Sequence, residues 1–182
     1  DRFFKRVIKT KKDRRILNEY KKIKKYKKII KFVYQNEPKG TGDAVLKTKN
    51  KVKDNYFLMI LPDDLIIKKN CSKDMISIHN KLKCSVMASM KVKKKNVMRW
   101  GIYSKKKMIN KNNFYINDVV EKPNIKSAPS NNAVIGRYIL PKKIFKTLLK
   151  QTKGKGGEIH ITDSIRKLIK DGEKFIGHNF KG

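Results

Sequence analysis

The stretch VVEKPNIKSAPSNNAVIGRYIL, residues 119–140, is the part of the chain from which the rest is interpreted. Its two ends carry the β-branched and aromatic residues typical of strands, and Pro123 stops the first strand because proline has no backbone N–H. A loop rich in Pro, Ser and Asn separates the two ends. The stretch therefore predicts two strands, with Glu121 and Lys122 at the end of the first and Gly136 inside the second.

Two interpretations of these charged residues and this glycine are open. A glycine inside a strand often marks a place where another group approaches the backbone closely. Gly136 and the Glu121–Lys122 pair would then face one pocket. The same residues also fit a hairpin-like pair of strands with a surface ion pair, because charge pairs and strand glycines are both common.

Composition bounds the class of protein. A chain of 182 residues can form one domain with a sizeable core. We find no apolar run of transmembrane length, and the start, DRFFKRVIKTKKDRR, lacks the apolar segment of a signal peptide. Cys71 and Cys84 have neither metal-site spacing nor a disulfide framework. We therefore expect a cytoplasmic protein with reduced thiols and no membrane partner.

The net charge of +33 raises the question of nucleic-acid binding. Only seven of the 48 basic residues are arginine, the residue whose planar guanidinium suits phosphate and base recognition. The lysines spread over nearly every segment, which indicates solvated faces and predicts no specific nucleic-acid partner. The alternative, a basic nucleic-acid-binding module, predicts affinity that falls steeply with salt and basic residues clustered on one face.

A glycine-rich loop is predicted early in the chain. The β-branched and aromatic run Ile30–Gln35 predicts a strand. QNEPKGTGDAVL, residues 35–46, then predicts a loop and a helix from Asp43 onward. Such a loop either lets backbone donors approach an anion or a flat ring, or is a plain connection between two elements.

A pair of carboxylates follows the next strand. The apolar run YFLMIL, residues 56–61, predicts a central parallel strand. It ends at Asp63 and Asp64, where open α/β sheets bind ligands. The two carboxylates suit a divalent cation that prefers oxygen ligands, or they cap a turn.

Helices and strands alternate along the chain. Helices are predicted at Ser72–Leu82 with Ser72 as N-cap, at Pro141–Lys150, and after Thr162 or Asp163. The alternation predicts an α/β fold with a mostly parallel central sheet. The strands between Trp100 and Leu140 predict a smaller, partly antiparallel subsheet. We find no linker, so one domain is expected over residues 1–182.

Taken together, six segments resemble the bacterial UTP–glucose-1-phosphate uridylyltransferases, or UDP-glucose pyrophosphorylases. They follow the family order over most of residues 30–170. The segments are QNEPKGTGDAVL (35–46), LPDDLI (61–66), WGI (100–102), VVEKP (119–123), APSNNAVIGRYIL (128–140) and GGEIHITDSI (156–165). The resemblance implies a Rossmann-like α/β/α sandwich of the nucleotide-diphospho-sugar transferase type. It implies that UTP and glucose 1-phosphate give UDP-glucose and pyrophosphate with Mg²⁺, by in-line attack on the α-phosphorus.

The resemblance also assigns residues to the nucleotide and the metal. Gln35 and Gly40 resemble the residues that contact uracil. Asp63 resembles the Mg²⁺ ligand, and Lys122 resembles the lysine that meets the sugar phosphate. Asp63 and Lys122 are therefore the predicted catalytic residues.

A second set of residues is assigned to the sugar. Gly101 and Gly136 look like backbone contacts close to the glucose ring. Glu121 is similar to the carboxylate that holds sugar hydroxyls, and Glu158 to a support on the sugar side.

The sequence also departs from the family pattern. The family's glycine-rich loop near the N-terminus has no counterpart, and the Asp-Cys-Gly motif with a second metal aspartate does not follow the final strand. Asp43 stands where the family commonly has histidine, and Asn132 where leucine is frequent. We therefore predict an internal fragment of a longer enzyme, truncated at both ends and almost inactive alone, whose full-length form tends to be a homo-oligomer.

One alternative keeps the fold and changes the substrate. Another sugar-1-phosphate nucleotidyltransferase, for example a thymidylyl-specific one, would share most of these segments. The run from APSN (128–131) to GRY (136–138) argues against it. Competition between UTP and dTTP distinguishes the two.

Overall fold

A computed structural model of the chain describes residues 2–11, 13–67 and 69–180. The chain divides into two compact units, residues 1–34 and 35–182. The first unit holds helices α1 (Arg2–Lys11) and α2 (Arg14–Lys27). Asp13 caps α2, because its side chain accepts a bond of 2.8 Å from the Arg15 backbone N–H. That residues 1–182 form one domain stays a prediction.

The second unit is built on one six-stranded sheet. Its strands are β1 (Tyr56–Ile60), β2 (Ser85–Lys91), β3 (Gly101–Met108), β4 (Asn113–Glu121), β5 (Asn132–Pro141) and β6 (Phe175–Asn179). The order across the sheet is β1-β5-β2-β6-β4-β3, and β3 pairs again with β5 at Ile102 and Ala133. The strands β5, β2, β6, β4 and β3 therefore form a closed, barrel-like arrangement. Strand β1 pairs with β5 and is not part of this closed arrangement.

The predictions of a mostly parallel central sheet and a separate subsheet are wrong. Of the described strand pairs, only β2 and β6 are parallel, and the six strands form one sheet. The alternation of strands and helices does give β1 and β2 the same direction. However, β5 comes later in the chain, inserts between them and runs antiparallel to both. A mixed α/β fold is correct.

Strand β1 is also not the central parallel strand that its apolar sequence predicts. In the described part of the sheet it is an edge strand, paired antiparallel with β5. Ile60 at its end is 49% exposed. An apolar run predicts a strand but does not define how many neighbours that strand has.

Helices pack on both faces of the sheet. They are α3 (Thr41–Lys47), α4 (Cys71–Leu82), α5 (Ile144–Lys150) and α6 (Ile161–Lys170), with 3-10 turns at Lys94–Arg99 and Lys155–Gly157. On one face, Met75 of α4 packs with Ile135 and Ile139. On the other face, α3, α5 and α6 pack around Val134 and Tyr138. Because successive residues of a strand point to opposite faces, β5 contributes to both cores.

The predicted strand at Ile30–Gln35 is absent. Residues 30–35 belong to neither a helix nor a strand in the structure. Phe32 and Tyr34 are 74% and 82% exposed. β-Branched and aromatic residues favour a strand only where a partner covers them, so the residue types alone led to a wrong prediction here.

Three predicted helix starts also need correction. Asn70, not Ser72, caps α4 and accepts a 3.0 Å bond from the Lys73 N–H. Pro141 ends β5 instead of opening a helix. Neither Thr162 nor Asp163 caps α6, which starts after His160. Thr162 is used in the site described below.

Two predictions concern the cysteine thiols and membrane-spanning segments. Cys71 and Cys84 are both buried and unbridged, and burial raises the pKa of the Cys71 thiol to about 11. Within the described ranges, none of the helices combines the length and the apolar character needed to cross a bilayer.

Candidate active site

The turn after β1 is fixed to the middle of β5. The Leu61 N–H donates to Gly136 O at 2.8 Å, and the Gly136 N–H donates to Asp64 Oδ2 at 2.6 Å. A Cβ on Gly136 would lie 2.6 Å from Leu61 Cβ and 2.7 Å from Asp64 Oδ2. The Arg137 guanidinium donates to the carbonyl oxygens of Leu61 and Asp64 at 2.8 Å and 2.9 Å. Residues 61–64 are therefore held in one conformation.

Asp63 lies in this turn and is exposed. No described cation lies within ion-pair distance of it, whereas the neighbouring Asp64 is engaged by Gly136. Among the described residues, no group of three or more His, Cys, Asp or Glu side chains is placed to hold a metal ion. Asp63 therefore offers one carboxylate that could bind a cation whose other ligands come from elsewhere.

A second cluster lies where β3 begins and β4 ends. Glu121 pairs with Gly101 across the two strands. The Thr162 hydroxyl on α6 donates to Glu121 Oε2 at 3.1 Å. A Cβ on Gly101 would lie 3.3 Å from the same Oε2 and 3.1 Å from Val134 Cγ2. A side chain at position 101 would therefore crowd the carboxylate.

Lys122 follows Glu121 in an unusual conformation. Its φ is 43°, in the left-handed region that residues other than glycine seldom adopt. Its N–H donates to Trp100 O at 3.1 Å, and the residue is exposed. Such conformations cost about 1–3 kcal/mol and gather at functional sites. Among the described non-glycine residues only Lys83, at the end of α4, shares a positive φ with Lys122.

The two clusters lie beside neighbouring residues of β5. A side chain added at Gly101 would meet Val134, and one added at Gly136 would meet Leu61 and Asp64, in a part of β5 whose pairing with β2 is irregular. Tyr138, two residues after Gly136, is buried. Burial raises the pKa of its phenol well above the usual value, and the charges of Glu121, Asp64 and Asp63 raise it further. Carboxylates of both clusters therefore act electrostatically on one buried phenol.

Gln35 and Gly40 lie together in the glycine-rich loop. Gln35 Nε2 donates to Asp43 Oδ2 at 2.7 Å and to Gly40 O at 3.2 Å. Gly40 has a φ of 100°, and a Cβ there would lie 2.7 Å from Ile159 O. The loop therefore needs glycine both for its backbone angle and for the close approach of Ile159.

Residues 158–162 connect this loop to the second cluster. The O atom of Ile159 accepts a 2.7 Å bond from the Gly42 N–H. Three residues later, Thr162 donates to Glu121. Because three residues span at most about 10 Å, this segment holds Gly42 and Glu121 close together.

The predicted site residues thus fall into two neighbouring groups. The first holds Gln35, Gly40 and Glu158, and the second holds Asp63, Gly101, Glu121, Lys122 and Gly136. Glu158 begins the connecting segment beside Gly40, where an added Cβ would lie 3.0 Å from Glu158 Cβ. It therefore lies next to the predicted base contacts. The roles assigned to these residues stay predictions.

Sequence reasoning missed several contacts of this site. Arg137 and Tyr138 directly follow Gly136, but nothing in their residue types indicates the turn or the carboxylates that they face. Thr162 was considered only as a helix cap, and its actual partner is 41 residues away. Asp64 was noted beside Asp63, with capping of a turn as one alternative, and it does bond a backbone N–H.

The family comparison gives a match over nearly the whole chain. The model described as nucleotidyl transferase matches residues 3–182. The UTP–glucose-1-phosphate uridylyltransferase of Pseudomonas aeruginosa is 37% identical over 154 residues, which cover 83% of this chain and 54% of that protein. The enzyme of the same name from Streptococcus pyogenes is 36% identical over 156 residues, covering 83% of this chain and 51% of its own. The chain spans about half the length of the curated relatives it matches.

Solved structures give the same result. A UDP-glucose pyrophosphorylase complexed with UDP-glucose matches with a TM-score of 0.78 and 38% identity, over 84% of this chain and 58% of that one. A UTP-bound UGPase from Acinetobacter baumannii matches with a TM-score of 0.74 and 28% identity, over 100% of this chain and 63% of that one.

Proposed function

Because the chain belongs to the nucleotidyl transferase family, we propose that it carries the sugar-nucleotide site of a UTP–glucose-1-phosphate uridylyltransferase. The whole enzyme joins UTP and glucose 1-phosphate into UDP-glucose and releases pyrophosphate. One observation carries this proposal. The charges of Asp63 and Glu121 both act on the buried phenol of Tyr138 in β5, and residues 158–162 attach the loop of Gln35 and Gly40 to Glu121. That the chain is part of a longer enzyme stays a prediction.

Glu121 is the proposed ligand of the sugar hydroxyls. A carboxylate accepts several hydrogen bonds. Thr162 occupies one position on Oε2, and glycine at position 101 avoids crowding the same oxygen. The N–H and C=O of Gly136 are engaged by Asp64 and Leu61. We therefore propose that Gly136 acts near the glucose ring by allowing the close approach of Leu61 and Asp64, and not by donating a bond to the sugar.

Gln35 and Gly40 are the proposed contacts of the uracil ring. An amide side chain and a glycine backbone can pair with the donor and acceptor groups on the edge of the ring. Glu158 adjoins Gly40, so any support it gives the sugar side acts through the connecting segment that it begins. This segment links the base contacts to the sugar contacts.

Asp63 is the proposed ligand of Mg²⁺. Mg²⁺ is typically held by one or two carboxylates together with substrate phosphates and water. A single exposed carboxylate in a fixed turn fits that requirement. When bound, the cation neutralises charge on the phosphates.

The reaction requires the protein mainly to position the two substrates and to balance their negative charge. An oxygen of glucose 1-phosphate attacks the α-phosphorus of UTP in line, the bond to pyrophosphate breaks, and no covalent enzyme intermediate is needed. Lys122 is exposed beside Glu121, and its compact ammonium suits a phosphate. Catalysis then consists of orienting the two substrates and balancing negative charge in the transition state.

Calorimetry with UDP-glucose and ADP-glucose tests this function. The two ligands carry equal charge, so nonspecific attraction to a chain of net charge +33 cancels when their affinities are compared. We expect UDP-glucose to bind more tightly, and Glu121→Gln to weaken it by about tenfold. Glu19→Gln, an exposed change in the first unit, is the matched control. Equal binding of the two ligands would contradict the proposal.

The uridylyl specificity has its own test. The curated relatives carry the uridylyl name, which favours UTP over the thymidylyl alternative. In competition for the site we expect UTP to displace dTTP. Preferential retention of dTTP would support the alternative.

A further inference from the structure

Only the nitrogen of the Gln35 side-chain amide is hydrogen-bonded to other described residues. Its Nε2 has two hydrogens, and its two acceptors are Asp43 Oδ2 at 2.7 Å and Gly40 O at 3.2 Å. Both donors are therefore used. Among the described residues none donates to Gln35 Oε1, so this oxygen is the group left to meet a ligand.

Asp43 supplies the closer of the two acceptors that determine which way the amide points. It lies in the first turn of α3 and is only 6% exposed. An ionised carboxylate accepts hydrogen bonds but donates none. If the Gln35 amide were rotated by 180°, Oε1 would face Asp43 Oδ2 and Gly40 O. Hydrogen-bond acceptors would then meet with no donor between them. Lys47 Nζ lies 3.8 Å from Asp43 Oδ1.

We propose that Asp43 is a positioning residue that sets the base selectivity of the site through the Gln35 amide. This inference rests on the proposed function. With Oε1 facing outward, Gln35 accepts a bond from a pyrimidine whose ring nitrogen carries a hydrogen, as N3 of uracil does. In cytosine, N3 is a hydrogen-bond acceptor, so that the lone pairs of N3 and of Gln35 Oε1 would face each other. Asp43 therefore makes the site favour uridine over cytidine nucleotides.

NMR titration of the chain with UTP and with CTP tests the inference. Because the two nucleotides carry equal charge, the ratio of their dissociation constants removes nonspecific attraction to the lysines. The variants are Asp43→Asn, which can face Gln35 in either orientation, and Asp43→Ala, which removes the acceptor if the first variant does not fold. Asp54→Asn, the same chemical change at an exposed position, is the matched control.

We expect the parent and the Asp54→Asn chain to prefer UTP by about tenfold or more. Both Asp43 variants should lose most of this preference. The second measurement needs no nucleotide: the side-chain NH₂ resonances of Gln35 should move in the Asp43 variants and stay in the control, because the bond to the carboxylate is lost.

The outcomes separate the role of Asp43 from the base site itself. Equal affinities of the parent for UTP and CTP would contradict the base site, and the inference with it. A preference that survives unchanged in the Asp43 variants would overturn the role of Asp43 and leave the base site in place. Gln35 amide resonances that do not move in these variants would also overturn it.

Discussion

Gly136→Ala tests whether the turn after β1 requires a residue without a side chain at position 136. The added methyl group would lie 2.6 Å from Leu61 Cβ and 2.7 Å from Asp64 Oδ2, distances that force the turn to move. Overpacking of this kind costs about 1–3 kcal/mol. The displaced Asp64 also loses its 2.6 Å bond from the Gly136 N–H, and hydrogen bonds to charged groups contribute about 1.5–3 kcal/mol. We expect the free energy of unfolding to fall by about 3–5 kcal/mol.

Urea unfolding of the parent and the variant measures this loss as a lower midpoint at an unchanged m-value. Gly157→Ala is the matched control. A Cβ there meets nothing within 4 Å, and the φ of 76° adds only the strain of a left-handed residue, about 1 kcal/mol. If Gly136→Ala costs no more than Gly157→Ala, the close approach of Leu61 and Asp64 to Gly136 is wrong.

Three further changes test the site and its surroundings. In an active transferase that contains this chain, Asp63→Ala and Lys122→Ala should each raise the barrier of the chemical step by about 3 kcal/mol, and wild-type turnover would remove that residue from its role. Thr162→Val removes the donor to Glu121 Oε2 and should weaken UDP-glucose binding about tenfold by calorimetry; unchanged affinity would show that this bond does not orient the carboxylate. Burial and the nearby carboxylates raise the pKa of Tyr138 in the folded state, so above about pH 10 the unfolded chain loses this proton first and stability falls as pH rises. Tyr138→Phe should reduce that fall by up to about 1.4 kcal/mol per pH unit in unfolding experiments, and equal slopes for the two chains would contradict a buried, neutral phenol.

The sequence predicted those parts of the fold that depend on local signals. The run AVIGRYIL (133–140), rich in β-branched and aromatic residues, defines β5 within about one residue of its observed ends. Strand order is different, because it depends on which distant segments meet. Nothing in YFLMIL (56–61) indicates that its neighbour is β5, some 75 residues later, and therefore the parallel sheet was predicted wrongly.

The same distinction applies to the candidate site. Charged residues at strand ends and a glycine inside a strand are local features, and the sequence alone is enough to single out Asp63, Glu121 and Gly136. The partners that position these groups come from other parts of the chain. Thr162 reaches Glu121 across 41 residues, and Arg137 holds a turn more than 70 residues earlier. Such pairs follow from tertiary packing, which residue types do not specify.

Titration of the ¹⁵N-labelled chain with UDP-glucose at high salt tests the central claim most directly. The account predicts that backbone resonances of Gln35–Gly40, of the turn 61–64, and of Gly101 and Glu121 shift together and fit one dissociation constant. Shifts confined to exposed lysine-rich segments, or separate dissociation constants for the loop and the two clusters on β5, would contradict a single sugar-nucleotide site.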